Sequence, residues 1–236
     1  MAHGAQAQLT LEDPLDYLPC KPLLEFAQRQ IIYIAGQPSD RLFVVLRGCV
    51  KIAASNADGR ATVARIVLKE GVFGESCLLT SGTRAESASA LDATTVMAWT
   101  RKEIDEQIDR EPRLGIALIQ LVTRNSIELL DRIESMAVYK VPERVLLALL
   151  RFSSDIGVSM TSGATRIAPL THETIAEYVG TYREIVTNEM NRLRTLGLVN
   201  YSRKFIDVYP VAIVEEFRRR TIPLPRGVIS RFDHAQ

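Results

Sequence analysis

Leu170–Val199 reads LTHETIAEYVGTYREIVTNEMNRLRTLGLV, and this stretch decides how the C-terminal part of the chain folds. Thr171 suits an N-cap, because its hydroxyl can accept from a free N–H of the first turn. Ile175, Ala176 and Val179 then share the buried side of a two-turn helix, and Gly180 ends it, glycine being the residue that enters the left-handed region at least cost. After a short turn a second helix buries Val186, Met190 and Leu193, at i, i+4 and i+7, which turns Arg183, Glu184, Thr187 and Asn188 outward together. A helix fits the major groove of DNA, and side chains near its N-terminus reach base edges there. Arginine matches guanine bidentately, glutamate accepts from the cytosine amino group, and asparagine pairs with adenine, so Arg183, Glu184 and Asn188 form a candidate reading set. Taken alone, the same residues also fit an ordinary solvated helix face.

The residues that follow add to the nucleic-acid reading. Gly197-Leu198-Val199 leads into NYSRKFIDVYP, a hairpin-like segment whose tip, Arg203-Lys204, is basic and suits phosphate contact as a wing. Thr171, Thr181 and Tyr182 lie near the two helix starts, where hydroxyls and free backbone N–H groups can meet a phosphodiester backbone. Charge agrees: residues 140–236 hold 14 Lys+Arg against 10 Asp+Glu, whereas the rest of the chain holds 15 against 18, so a total of +1 conceals a basic C-terminal part. Release of counterions from phosphates drives binding by such a surface.

Upstream, the stretch between Ile116 and Val141 has no Gly or Pro and predicts one long helix, started by Glu111-Pro112 and ended by Pro142. Ile119, Val122, Ser126, Leu129, Ile133 and Met136 are spaced 3, 4, 3, 4, 3, the seam of a coiled coil, and predict a homodimer interface. Leu114, Leu118 and Leu121 supply a second apolar face for the chain's own core; a single core helix in a monomer is the alternative. The junction Val141-Pro142 is a hinge candidate. VPERVLLALLRFSS predicts a further helix, and Thr165–Ile167 a short strand after the turn Thr161-Ser162-Gly163.

From Ile31 to Trp99 the texture is different: IIYIAG, RLFVVLRGCVKIAA, TVARIVLKEGVFG and SASALDATTVMAWT read as short strands, separated by turns at Gly36-Gln37-Pro38, Asp58-Gly59 and Ser81-Gly82. That spacing predicts a sandwich or barrel. No apolar run reaches the roughly 20 residues of a membrane span, and the start MAHGAQAQ lacks a secretory layout, so a cytoplasmic location is expected. Cys20, Cys49 and Cys77 are odd in number and far apart, which speaks for reduced, mostly buried side chains rather than disulfides or a metal. No catalytic constellation and no phosphate-cradling G-x-x-x-x-G-K is found, and neither enzyme activity nor a metal is expected.

Across Ile31 to Pro210 the sequence resembles the Crp/Fnr family of bacterial transcription regulators. The resemblance rests on Gly36, Asp40, Leu42-Phe43-Val44-Val45, Gly48, Gly71-Val72-Phe73-Gly74-Glu75 and Arg84 in the first half, and on TIAEYVGTYREIV in the second. It implies an α+β chain with an N-terminal cyclic-nucleotide-binding-like jelly roll (residues 1–112), a dimerisation helix (113–139) and a winged helix-turn-helix (140–212); the basic, proline-bearing C-terminal tail (213–236) is read as mobile, with cover of the DNA-binding domain as the alternative. The expected partners are double-stranded DNA at a palindromic site, a second copy of the chain, and RNA polymerase, with no membrane.

The resemblance also bears on an effector, a cyclic nucleotide or another small molecule. In cyclic-nucleotide-binding members the equivalents of Gly74 and Glu75 meet the ribose and phosphate, and that of Arg84 pairs with the cyclic phosphate. Here the next position, usually Ser or Thr, is Ala85, and Leu129-Leu130 stand where cAMP-responsive members place a Thr-Ser pair on the adenine. Base recognition of the cAMP type is therefore not expected, and an effector-independent regulator, or a cyclic-nucleotide-binding regulatory subunit, are the alternatives. Iron-sulfur members carry a cysteine group near the N-terminus, where only Cys20 lies. Haem-sensing members use a barrel histidine, but His3, His172 and His234 all lie outside it. On the DNA side Arg183 and Glu184 match the base-reading pair of the cAMP receptor branch, Asn188 departs from its second arginine, and Tyr182 replaces a small hydroxyl cap.

Overall fold

The computed structural model describes residues 12–55, 61–79 and 82–225. The turn Asp58-Gly59, Ser81, the polar start before residue 12, His3, His234 and the tail beyond residue 225 lie outside the described residues.

The N-terminal half is built of strands β1 (Leu24–Phe26), β2 (Ile31–Tyr33), β3 (Arg41–Arg47), β4 (Val50–Ser55), β5 (Ala61–Val67), β6 (Val72–Phe73), β7 (Ser87–Ala90) and β8 (Thr94–Thr100). They form two four-stranded sheets, in the orders β1-β8-β3-β6 and β2-β7-β4-β5. The register of β3 against β8, Leu42 opposite Trp99 and Val44 opposite Met97, puts alternate residues on opposite faces, and both faces are buried: Leu42, Val44 and Trp99 on one, Phe43 and Val45 on the other. Helices α1 (Arg101–Arg110), α2 (Arg113–Val138) and α3 (Val141–Ile156) follow; then β9 (Val158–Ser159), β10 (Thr165–Ile167), α4 (His172–Val179), α5 (Arg183–Thr195), β11 (Val199–Tyr201), β12 (Ile206–Val208) and α6 (Pro210–Arg219).

The chain gathers into two compact units, one of the residues up to Val50 with Val67–Glu128, the other of Lys51–Ile66 with Leu129 onward, so the β4–β5 hairpin counts with the second. In the first, one core joins Leu42, Val44, Val72, Cys77 and Trp99 to Ile104 of α1 and to Leu114 and Leu118 of α2, with Leu121 packed at its edge. The second apolar face of the long helix thus packs as its spacing predicts. In the second unit, α3 is buried along Val145–Leu150, and α4, α5 and the sheet β11-β12-β10-β9 are built around it.

Some expectations need correction. Pro142 does not end the long helix: α2 stops at Val138, and Pro142 sits in the first turn of α3, where its missing N–H costs nothing. The break in the helix is therefore at Tyr139-Lys140, and the Lys140 N–H donates to the Glu143 carboxylate at 2.7 Å to start α3. Residues 213–219 are not a mobile tail, because Ile213 and Phe217 of α6 are buried and α6 packs on α3. Cys20 is exposed, while Cys49 and Cys77 are buried and burial raises their thiols to about 12 and about 11.

Candidate nucleic-acid interface

The site begins with two caps. Thr171 Oγ1 accepts from the Thr174 N–H at 3.0 Å and opens α4, and Gly180, at φ 71°, closes it. A residue with a Cβ would be strained at that angle, and the angle sets the direction in which α5 leaves. Tyr182 is the N-cap of α5 but contributes no side-chain cap bond, so the first-turn N–H groups are left without the hydroxyl that a Ser or Thr would supply.

Val186, Met190 and Leu193 are fully buried, as their spacing requires, and Arg183, Glu184 and Asn188 are exposed on the other side. Thr187 is half-buried: its hydroxyl donates to the Arg183 carbonyl at 2.9 Å and lies 3.0 Å from His172 Nδ1. With that hydroxyl proton committed, His172 Nδ1 carries the proton of its own ring and donates. His172 also meets the Tyr201 ring edge-on, at 5.5 Å between centroids, and so links α4, α5 and β11. Burial, and then the charge of Arg183, lower its pKa below 6.5 and favour the neutral ring.

The wing is the β11–β12 hairpin. Asn200 faces Asp207 across it, and the turn closes with Ser202 N–H donating to Phe205 O at 2.9 Å, leaving Arg203 and Lys204 exposed at the tip. Behind the tip, Arg166 of β10 holds Asp207 through two bonds of 2.6 and 2.8 Å and lies over the Phe205 ring at 4.1 Å. Tyr201 OH donates to Asn191 Oδ1 at 2.9 Å, tying the wing to α5. Of the phosphate candidates, Thr171 and Tyr182 are exposed and Thr181 is half-buried.

Four contributors escape the reading of the sequence. His172 enters that reading only as a histidine outside the barrel, and so not a haem ligand. Ile185 is 42% exposed beside Glu184, an apolar group on α5 of a kind that suits a thymine methyl. Arg132, near the end of α2, is buried; its guanidinium donates to the carbonyls of Val63 and Ala64 on β5 and, at 2.8 Å, to that of Tyr178 on α4, while stacking on the Tyr178 ring. Lys51 of β4 adds a 2.8 Å ion pair to Glu177 of α4. Only pairings distant in sequence reveal these last two.

In the barrel, Arg84 is 3% exposed. Its guanidinium donates to Gly74 O at 2.9 Å, Ser76 Oγ at 3.2 Å and Arg41 O at 2.6 Å, and it lies 4.2 Å from the Tyr33 ring centre. Gly74, at φ 84°, makes this approach feasible, because a Cβ there would come within 2.9 Å of the guanidinium. Asn125 of α2, another residue the sequence does not single out, donates to Glu75 at 2.7 Å. Leu129 and Leu130 are both exposed. Among the described residues no group of three or more His, Cys, Asp or Glu side chains could hold a metal ion, and no helix is long and apolar enough to cross a membrane.

Comparison with known proteins agrees with both halves. Residues 23–111 match the model of the cyclic nucleotide-binding domain, and residues 143–209 that of the Crp-like helix-turn-helix domain. The transcriptional regulator SdrP of Thermus thermophilus is 30% identical over 178 residues, 75% of this chain and 84% of that protein. The chain belongs to the Crp/Fnr family. The global nitrogen regulator of a Nostoc species is 26% identical over 83% of this chain and 90% of its own length. The solved structure of a Crp/Fnr-family transcriptional regulator from Thermus thermophilus superposes with a TM-score of 0.68 at 26% identity, covering 82% of this chain and 97% of the other. This Crp/Fnr member is thus a transcription regulator with a DNA-binding helix-turn-helix.

Proposed function

We propose that the protein binds palindromic DNA as a homodimer, with α2 as the dimer helix and α5 as the reading helix. The observation that carries this reading is the state of α2 in the isolated chain: Ile119 is 69% and Ile133 63% exposed, and Val122, Ser126, Leu129 and Met136 of the same seam are exposed with them. A stripe of that kind at coiled-coil spacing suits a second copy of itself. A two-fold dimer would present two α5 helices to half-sites about one turn of DNA apart, roughly 34 Å. Arg183 then reads a guanine, with Glu184, Asn188 and Ile185 setting preference beside it, Thr187 held by His172, and Arg203, Lys204, Thr171, Thr181 and Tyr182 on the backbone. RNA polymerase is the second macromolecular partner of such a regulator, and the cytoplasm its place of action.

The barrel does not recognise cAMP in the manner of cAMP-responsive members. Three donors of Arg84 are taken by the chain's own oxygens, Ala85 offers no hydroxyl, and Leu129-Leu130 offer no polar group for a base. The same commitment of Arg84 favours a second reading, a regulator that needs no effector. Selection of genomic fragments by the purified protein at fixed salt, with and without cAMP and cGMP, tests both points. The proposal expects one palindrome, enriched equally in all conditions. Enrichment only with a nucleotide would make Glu75 and Arg84 a working effector site, and a non-palindromic site would refute the dimeric arrangement.

A further inference from the structure

Three arginines of the second unit line one recess. The end of α2 contributes Arg132, Ser135 and Met136, α3 contributes Arg144 and Arg151, and the last turn of α4 closes the space with Tyr178 and Val179. No carboxylate lines it. Four other arginines of the same unit are neutralised: Arg166 by Asp207, Arg192 by Glu189, and Arg219 and Arg220 by Glu216. In the recess, burial and then the positive charge of Arg151 lower the pKa of Arg132.

The donors are unevenly used. Arg132 spends its terminal nitrogens on Val63, Ala64 and Tyr178 carbonyls, so it contributes field more than free bonds. Arg151 donates to Ser135 Oγ at 3.3 Å, and that hydroxyl in turn donates to Asp131 O at 2.7 Å. Arg144 has no side-chain hydrogen-bond or ion-pair partner among the described residues, and its Nε is buried without an acceptor. A buried donor left open costs free energy, and a fork of guanidinium donors matches a tetrahedral oxyanion bidentately.

We propose that this recess is an anion site for a phosphate group, held by Arg144 and Arg151 in the field of Arg132. The about 270 Å³ of empty space counts open solvent at the mouth, and the enclosed part has room for little more than one water, so the recess takes at most the oxygens of a phosphate at its mouth and leaves the remainder of any ligand outside. The burial of Arg132 and of the Arg144 Nε favours a small anion over the phosphates of a duplex, which need donors standing clear of the surface. Because the lining helices α3 and α4 belong to the DNA-binding part, an anion here would bear on the same elements that carry α5.

The test uses the full-length protein in chloride buffer at constant ionic strength. Inorganic phosphate, and in a separate arm glycerol 3-phosphate, are titrated by calorimetry and by thermal unfolding against the wild type, Arg144→Gln, Arg144→Lys and Arg151→Gln. Saturable binding is expected in the wild type, weakened at least ten-fold in both glutamine variants and to an intermediate degree in Arg144→Lys, which keeps the charge without the fork. Circular dichroism and melting in chloride alone verify that the variants fold. Tighter binding of the ester assigns the site to phosphorylated metabolites, and tighter binding of phosphate to the free anion; either upholds it. A wild-type response no larger than that to added chloride, or a folded Arg144→Gln that binds like the wild type, overturns it.

Discussion

Arg183 in the helix-turn-helix and Arg84 in the barrel are the same side chain put to opposite uses. Arg183 stands in the first turn of α5, exposed, with Val186 and Met190 buried behind it to fix the helix. Arg84 is buried, its terminal nitrogens turned to Gly74, Ser76 and Arg41, its Nε without an acceptor and its plane against Tyr33. A guanidinium that is exposed on a rigid element retains its donors for a partner. One whose terminal nitrogens already satisfy main-chain carbonyls must give those bonds up before the same fork can grip a ligand, which makes it a structural element first. The difference separates an arginine left open on a helix from one held within the barrel by the chain's own oxygens.

That contrast can be broken in several places. The largest effect is expected from the helix that would make two reading surfaces act together: Ile119→Glu with Ile133→Glu places charges in the seam, and sedimentation should show a monomer whose affinity for a palindromic duplex falls by about 100-fold or more, since the second half-site no longer adds to the first. Next comes Arg84→Met, which removes the donor from two buried carbonyls; chemical denaturation should show a loss of about 3 kcal/mol, with the sequence preference of the folded fraction unchanged. A loss of DNA preference without a loss of stability would reverse the roles assigned to the two arginines. Smaller is the effect of Arg203→Ala with Lys204→Ala at the wing tip. Binding should weaken by a similar factor on every sequence, and the slope of log affinity against log salt should flatten by about 1 to 2.

The smallest effect concerns His172. Its pKa is lowered in the fold, so between that value and 6.5 the unfolded chain holds more protons than the folded one. Its contribution to stability is present above pH 6.5 and is lost as pH falls through the lowered value. The stability of the wild type should therefore fall more steeply with acidification below pH 6.5 than that of His172→Asn, when both are followed by urea unfolding. Parallel profiles would mean that burial and the charge of Arg183 do not set its titration.

What can be read from the sequence is local. Thr171, Gly180 and the Val186, Met190, Leu193 spacing fix α4 and α5 because caps and helical periodicity act within a few residues, and the seam of α2 is legible for the same reason. Helix α1 goes unread although Thr100-Arg101-Lys102-Glu103 has the form of a capping box, which the structure contains. Part of helix α6 falls in the expected tail although Pro210, Ile213 and Phe217 have the proline start and i, i+4 spacing of a packed helix. The roles of Arg132 and Arg84 are beyond local reading. Their partners are main-chain carbonyls, which every residue has, brought close only by tertiary folding.

The central claim is that α5 reads sequence through Arg183. The most direct measurement takes the selected palindrome and all its single-base variants, at fixed salt, against the wild type and Arg183→Ala. The account predicts a loss of about 1 to 3 kcal/mol per half-site on the selected sequence, with discrimination erased at one guanine and retained at the other positions. If Arg183→Ala binds with the same preferences as the wild type, whatever its overall affinity, α5 does not read sequence through Arg183 and the account is wrong.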